Sequence, residues 1–129
     1  MESFIFPNSM LMLERSMGFQ WTKQSVILDN ISNAETPNYK AKYATFEETL
    51  HTRLQAAAKN GQPLASMRAA LSAASPVVHT AEDESARMDG NGVNVAEQQM
   101  ELVRNAYQMQ YVLGAINNDF SLLRTAIRG

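Results

Sequence analysis

The sequence predicts a mainly α-helical protein whose long N- and C-terminal helices pair antiparallel as a coiled coil, with a small irregular, β-containing segment between them. Three observations carry this reading. Val95, Gln99, Leu102, Ala106, Met109, Leu113, Ile116, Phe120, Leu123 and Ile127 follow one another in alternating steps of four and three. Only a helix gathers such a series on one side, and a repeat of 3.5 residues held this long describes a coiled-coil seam. The same stepping links Phe6, Met10, Leu13, Met17, Gln20, Gln24, Ile27, Ile31 and Ala34, with Trp21 and Leu28 beside that seam. The third observation is what lies off the seams: Met12, Phe19, Met100, Val103, Tyr107, Tyr111, Val112 and Leu122. A two-helix coil in water carries a charged exterior, so apolar residues on several sides predict burial against other chains.

At about 1.5 Å per residue the C-terminal helix is roughly 50 Å long and needs a long partner. A connection joining the two helices at one end makes them antiparallel and brings both termini together at the other. The chain then divides into 1–42 (helix and following turn), 43–94 (a variable middle with short helices and a β-hairpin) and 95–129 (the second helix).

Totals narrow the function classes. A chain of 129 residues is one domain's worth. With no cysteine there is neither a disulfide framework nor a thiolate metal site. A net charge of −2 gives no electrostatic case for nucleic acid. No apolar run is long enough to span a bilayer. Met1 to Asn8 lack the pattern of a cleavable secretory signal, which predicts a cytoplasmic protein or export by another route.

In the first helix, Asn8 or Ser9 can serve as the cap after Pro7. Met10, Met12 and Met17 supply a flexible, polarisable packing surface, and Trp21, the only tryptophan, reads as a packing anchor. The helix must stop before Pro37, because the residue preceding proline disfavours helical dihedrals. Pro37 presets a tight turn, and Asn38 tolerates the left-handed conformation that follows. Tyr39 is then free to pack back on the coil.

The stretch Asn30-Ile31-Ser32-Asn33-Ala34-Glu35-Thr36-Pro37-Asn38-Tyr39-Lys40 resembles the N-terminal signature of the bacterial flagellar rod and hook family of axial proteins. Asn30, Ile31, Asn33, Thr36, Pro37, Tyr39 and Lys40 match that signature. Ser32 stands in place of alanine, and Asn38 in place of glycine, an exchange that keeps access to positive φ.

The middle is less informative. Thr45–Ala58 reads as a short helix broken by Asn60-Gly61-Gln62-Pro63, and Leu64–Ala74 as either a second short helix or a stretch mobile in the free protein. Pro76–Thr80 and Ala86–Met88 read as a hairpin flanking Glu82-Asp83-Glu84, a solvated tip. Asp89-Gly90-Asn91-Gly92 is a turn, and Asn94 with Glu97 forms a capping-box pattern opening the last helix. Asp89-Gly90-Asn91 before Val93, and the ending Phe120–Gly129, are again similar to a rod component of the same family. The similarity leaves residues 43–86 uncovered.

That resemblance implies a structural subunit of the flagellar rod, a drive shaft carrying torque from the membrane ring to the hook. It implies self-association in a helical assembly, contacts with other rod proteins, with the ring protein and with the small adaptor at the rod base. It also implies passage through the flagellar export apparatus without a cleavable signal peptide, and residence in the rod within the periplasmic space. The seam residues expected to carry packing are Met10, Leu13, Met17, Trp21, Ile27, Ile31, Leu102, Met109, Leu113, Ile116, Phe120, Leu123 and Ile127.

No chemistry competes with this. Glu48 and His51 lie one helical turn apart but find no third ligand. Asp89-Gly90-Asn91-Gly92 begins like a calcium loop, yet Met100 occupies the position of its closing glutamate. There is no phosphate cradle, and Asn30-Ile31-Ser32 fits the glycosylation pattern by chance. No serine or threonine has a histidine–carboxylate constellation, so neither catalysis nor a cofactor is expected. The alternative is a soluble helical-hairpin module such as a small secreted effector or adaptor. Its Trp-x-Gly turn is absent, since Thr22 and Lys23 follow Trp21.

Overall fold

The computed structural model describes residues 8–46, 55, 63–82 and 87–129. Along the chain these form α1 (Asn8–Ser32), β1 (Lys42–Thr45), α2 (Pro63–Ala73), β2 (Val77–Thr80) and α3 (Val95–Arg128). Side-chain contacts fix the direction of the helix pair. Asn30 meets Gln98, Lys23 meets Glu101 and Gln20 meets Asn105, so positions fall along α1 as they rise along α3. The protein is thus mainly helical, built on long antiparallel terminal helices with a small two-stranded sheet in the middle.

The intramolecular face of α3 is rotated by about one residue from the expected seam. Leu102, Met109, Ile116 and Leu123 belong to it and are partly buried. Its second column is Gln98, Asn105, Val112 and Asp119, which again step by seven. Ala106, Leu113, Phe120 and Ile127 lie beside that face and are exposed. Val112, expected outside, is buried. On α1, Met10, Gln20, Ile27 and Asn30 are buried, while Leu13, Met17 and Ile31 are partly so. Trp21 is 61% exposed and lines a groove with Met10, Met17 and Phe120.

The expected outward position of Phe19 is corrected as well. Its ring stacks on Phe46 with centroids 5.2 Å apart, in a core shared with Leu71 and Ala74 and flanked by Leu11 and Ala44. The reason is that β1 and α2 fold back over a second side of α1. Apolar residues on two sides of one helix are what this arrangement requires. Leu71 is 2% exposed; burying a side chain of that size contributes about 2 kcal/mol.

The middle also departs from expectation in its pairing. β2 does not turn back on Arg87 and Met88, and Ala86 of the expected partner strand lies outside the described residues. β2 runs antiparallel to β1, with Lys42 opposite Thr80, Tyr43 opposite His79, Ala44 opposite Val78 and Thr45 opposite Val77. Cross-strand contacts reinforce that register: Tyr43 stacks on His79, and Thr45 Oγ1 lies 2.8 Å from His79 Nε2. Thr45 is therefore a strand residue, not the start of a helix. Of the helix expected over Thr45–Ala58, Gln55 is helical. Glu48, His51, Asp83 and Glu84 lie outside the described residues, as does Phe6 of the first seam. The alanine-rich helix is present as α2.

Candidate assembly interface

Where α1 ends, the chain must turn sharply and still start α3 at a fixed angle. Two buried asparagines, Asn30 and Asn91, do most of this. The turn itself spans Thr36–Tyr39: the Tyr39 amide donates to the Thr36 carbonyl at 3.3 Å, Pro37 occupies the second place, and Asn38 has φ 61° at the third. Proline before a left-handed residue is the combination such a turn favours. Thr36 Oγ1 donates to Asn33 Oδ1, and Asn33 Nδ2 donates back to the Asp29 carbonyl, closing the helix end.

Asn30 is completely buried. Its Nδ2 donates to the Lys42 carbonyl at 2.7 Å and to Gln98 Oε1 at 3.0 Å, while its Oδ1 accepts from the Lys42 amide at 2.9 Å and from the Tyr39 hydroxyl at 3.3 Å. One side chain thereby joins α1, the turn, β1 and α3. Burial raises the pKa of Tyr39 above its ordinary 10.0, and the Asp29 carboxylate adds to the effect.

Asn91 closes the junction from the other side and is 1% exposed. Its Nδ2 donates to the carbonyls of Asn33 and Thr36 at 2.8 and 2.7 Å, and its Oδ1 accepts from the Val93 amide at 2.8 Å. Backbone bonds run beside it, from the Asn38 amide to the Asp89 carbonyl and from the Gly92 amide to the Tyr39 carbonyl. Arg87 donates to the Ala34 carbonyl and pairs with Glu35 and Asp89. Gly90 sits at φ 80°, where a Cβ would come within 2.3 Å of Asn38 Oδ1. Ala34, Ala41 and Val93 form the apolar floor, with Tyr39 and Val95 packed on it. Asn94 Oδ1 then accepts from the Glu97 amide at 3.3 Å and opens α3.

Asn30, Asn33, Thr36, Pro37, Asn38 and Tyr39 thus take part in one junction with Asp89, Gly90 and Asn91, while Lys40 is exposed. The polar layer further along the helix pair was not legible as a site. Asn105 is completely buried and donates through Nδ2 to the Gln20 carbonyl and to Gln20 Oε1, each at 2.9 Å. Asn105 Oδ1 and Gln108 Oε1 are buried without a partner among the described residues. The signal available was an asparagine standing one residue away from an apolar column, which is weak.

Opposite this contact, α3 presents Met100, Val103, Tyr107, Tyr111 and Leu122, all more than half exposed. Residues 100, 103, 107, 111 and 122 share one side of a helix. Leu113 and Phe120 form a flank, each about half exposed. Phe120 and Ile116 also line a groove of about 820 Å³ with Met10, Met17 and Trp21. Exposed apolar side chains grouped along one side of a helix mark an interaction surface. Among the described residues, no helix is long and apolar enough to cross a membrane, and no three acidic or imidazole side chains gather as metal ligands.

No known family profile matches the chain. It is 29% identical over 128 residues to the flagellar basal body rod protein FlgB of Bacillus subtilis (strain 168), covering 97% of each chain. It is 32% identical over 112 residues to FlgB of Cereibacter sphaeroides, covering 84% of each. With the turn signature seated in a built junction and this identity extending along most of both chains, the chain belongs to the FlgB family of flagellar basal body rod proteins.

Proposed function

We propose that this protein is a structural subunit of the proximal rod, polymerising by helix packing into the shaft that carries torque from the membrane ring to the hook. The observation that supports this most is the apolar row of Met100, Val103, Tyr107, Tyr111 and Leu122 on the side of α3 turned away from α1. Contacts made through different faces of identical subunits are heterologous, and they extend into a helical stack when the rotation does not close. The seam positions left exposed, Trp21, Leu113, Phe120 and Ile127, then pack between subunits, as do the exposed methionines. Segments 1–42 and 95–129 form the packing unit, and 43–94 is the variable part.

Other rod proteins, the ring protein and the rod-base adaptor are the neighbours, and the site of action is the rod within the periplasm. Delivery is by the flagellar export apparatus without a cleavable signal peptide. The role is mechanical and needs no catalytic group or cofactor.

The test is a paired substitution, Tyr107→Asp with Tyr111→Asp, in the organism's own chromosomal copy. The side chains are 70% and 80% exposed, so the isolated chain keeps its helical circular dichroism. Loss of the protein from isolated basal bodies, together with loss of motility, is the expected result. Wild-type motility and incorporation would overturn the assignment of this face.

A further inference from the structure

The junction contains a bond that is chemically fragile in any open chain. Asn91 is followed by Gly92, and asparagine before glycine is the sequence in which the next backbone nitrogen most easily reaches the side-chain amide carbon. Asparagine is a thermolabile residue for this reason. The Gly92 nitrogen attacks Asn91 Cγ, a new N–C bond closes a cyclic imide, the Cγ–Nδ2 bond breaks, and ammonia leaves carrying the amide proton. Water then opens the ring at either carbonyl, giving aspartate or isoaspartate at position 91. The net change is side-chain amide plus water to carboxylic acid plus ammonia, with no oxidant or cofactor.

In the folded protein every atom of that reaction is held. The nucleophile, the Gly92 amide, donates to the Tyr39 carbonyl at 2.9 Å. The leaving nitrogen, Asn91 Nδ2, donates to two carbonyls, and Oδ1 is fixed by the Val93 amide. At 1% exposure the side chain also lies away from the water that must open the imide. Reaction therefore requires the junction to open, so its rate follows the opening equilibrium.

The product cannot return. A carboxylate at position 91 has no hydrogen to give, yet it would face the Asn33 and Thr36 carbonyls at 2.7–2.8 Å. Acceptors pressed together and buried are costly, and the isoaspartate form also lengthens the backbone inside the turn. We propose that Asn91–Gly92 is a folding-gated deamidation site: stable while the junction is closed, and a one-way loss of folding competence in chains that stay open. The inference does not depend on the rod assignment.

Gly92 gives the decisive control. Its φ is not in the left-handed region, and an added Cβ would meet only ordinary contacts, 3.9 Å from the Tyr39 carbonyl oxygen and 4.0 Å from the Ala41 nitrogen. Gly92→Ala is thus compatible with the fold but hinders ring closure. The experiment incubates wild type and Gly92→Ala in mildly alkaline buffer with and without urea. Peptide mass spectrometry reads amide-to-acid conversion at positions 91 and 60, and circular dichroism after dilution reads the fraction that refolds.

In urea, wild-type Asn91 should convert at a rate like that of Asn60, which also precedes a glycine. In buffer Asn91 should be at least about ten-fold slower. Refolding yield of wild type should fall with time in urea, and Gly92→Ala should retain it. Equal conversion at Asn91 with and without urea would overturn the gating. Full refolding of chains already converted at position 91 would overturn the irreversibility.

Discussion

The carboxamide of Asn30 holds both polar groups of the Lys42 backbone at once, donating to its carbonyl at 2.7 Å and accepting from its amide at 2.9 Å. In effect the side chain replaces a neighbouring strand along the outer edge of β1. It also reaches Gln98 on α3 and Tyr39 in the turn.

Asn30→Ala should therefore cost more than an average hydrogen-bond deletion, because it strands buried groups on three elements. The expected loss is about 3 kcal/mol, read as a lower urea midpoint with unchanged slope. A loss under about 1 kcal/mol would mean that water substitutes for the carboxamide.

Gly90→Ala should destabilise by about 2 kcal/mol through its left-handed backbone and the close approach to Asn38. Because the atom in the way is Asn38 Oδ1 at 2.3 Å, Asn38→Gly in the same chain should recover part of the loss. Strict additivity of the two changes in a double-mutant cycle would show that the two residues do not meet.

Asn105→Leu tests whether the polar layer between the helices exists for stability or for alignment. Asn105→Leu removes the buried Oδ1 that has no partner among the described residues but leaves Gln20 Oε1 without its donor, so it should lose about 1 kcal/mol. Asn105→Ala, which adds a cavity, should lose about 2 kcal/mol. A buried asparagine in a helix seam sets register at some expense of stability. Crosslinking between cysteines placed at Lys23 and Glu101, which lie 3.3 Å apart at their charged ends, should accordingly become less selective in Asn105→Leu.

Alkaline titration should single out Tyr39. Its folded pKa is raised above 10.0, by burial first and Asp29 second. The unfolded chain then releases its proton at lower pH than the folded one. The sign follows: this contribution is intact below pH 10, and stability falls as pH rises from the unfolded value through the folded one. Tyr39→Phe should be less stable at neutral pH by about 1 kcal/mol, yet lack this alkaline decline. Parallel stability curves for the two proteins across that range would refute the assignment.

The local features were legible because their causes are local. Pro37, Asn38 and Asn94 announce a turn and a cap from the chemistry of single residues, and α1 and α3 announce themselves by period. The face of α3 was not legible. Leu102, Met109, Ile116 and Leu123 fit two adjacent seams equally well, and apolar character favours completing the column with Leu113 and Phe120. The fold instead completes it with Gln98, Asn105, Val112 and Asp119, because Gln98 and Asn105 find partners 68 and 85 residues away. Phe19 was misplaced for a similar reason: its cover comes from Phe46 and Leu71, whose elements carry little periodic signal of their own. Strand β1, of four residues, was hidden because its outer edge at Lys42 is satisfied by a side chain on α1.

The antiparallel course of α1 and α3 has an electrical consequence. Each helix has a positive amino end and a negative carboxyl end. Side by side and reversed, the two macrodipoles largely cancel along their shared length. Glu97 in the first turn of α3 and Arg128 in its last further neutralise what remains. The backbone of the helix pair is left with little net dipole along its axis. In the proposed assembly, contacts between subunits should then owe little to helix dipoles and should keep their cohesion in concentrated salt.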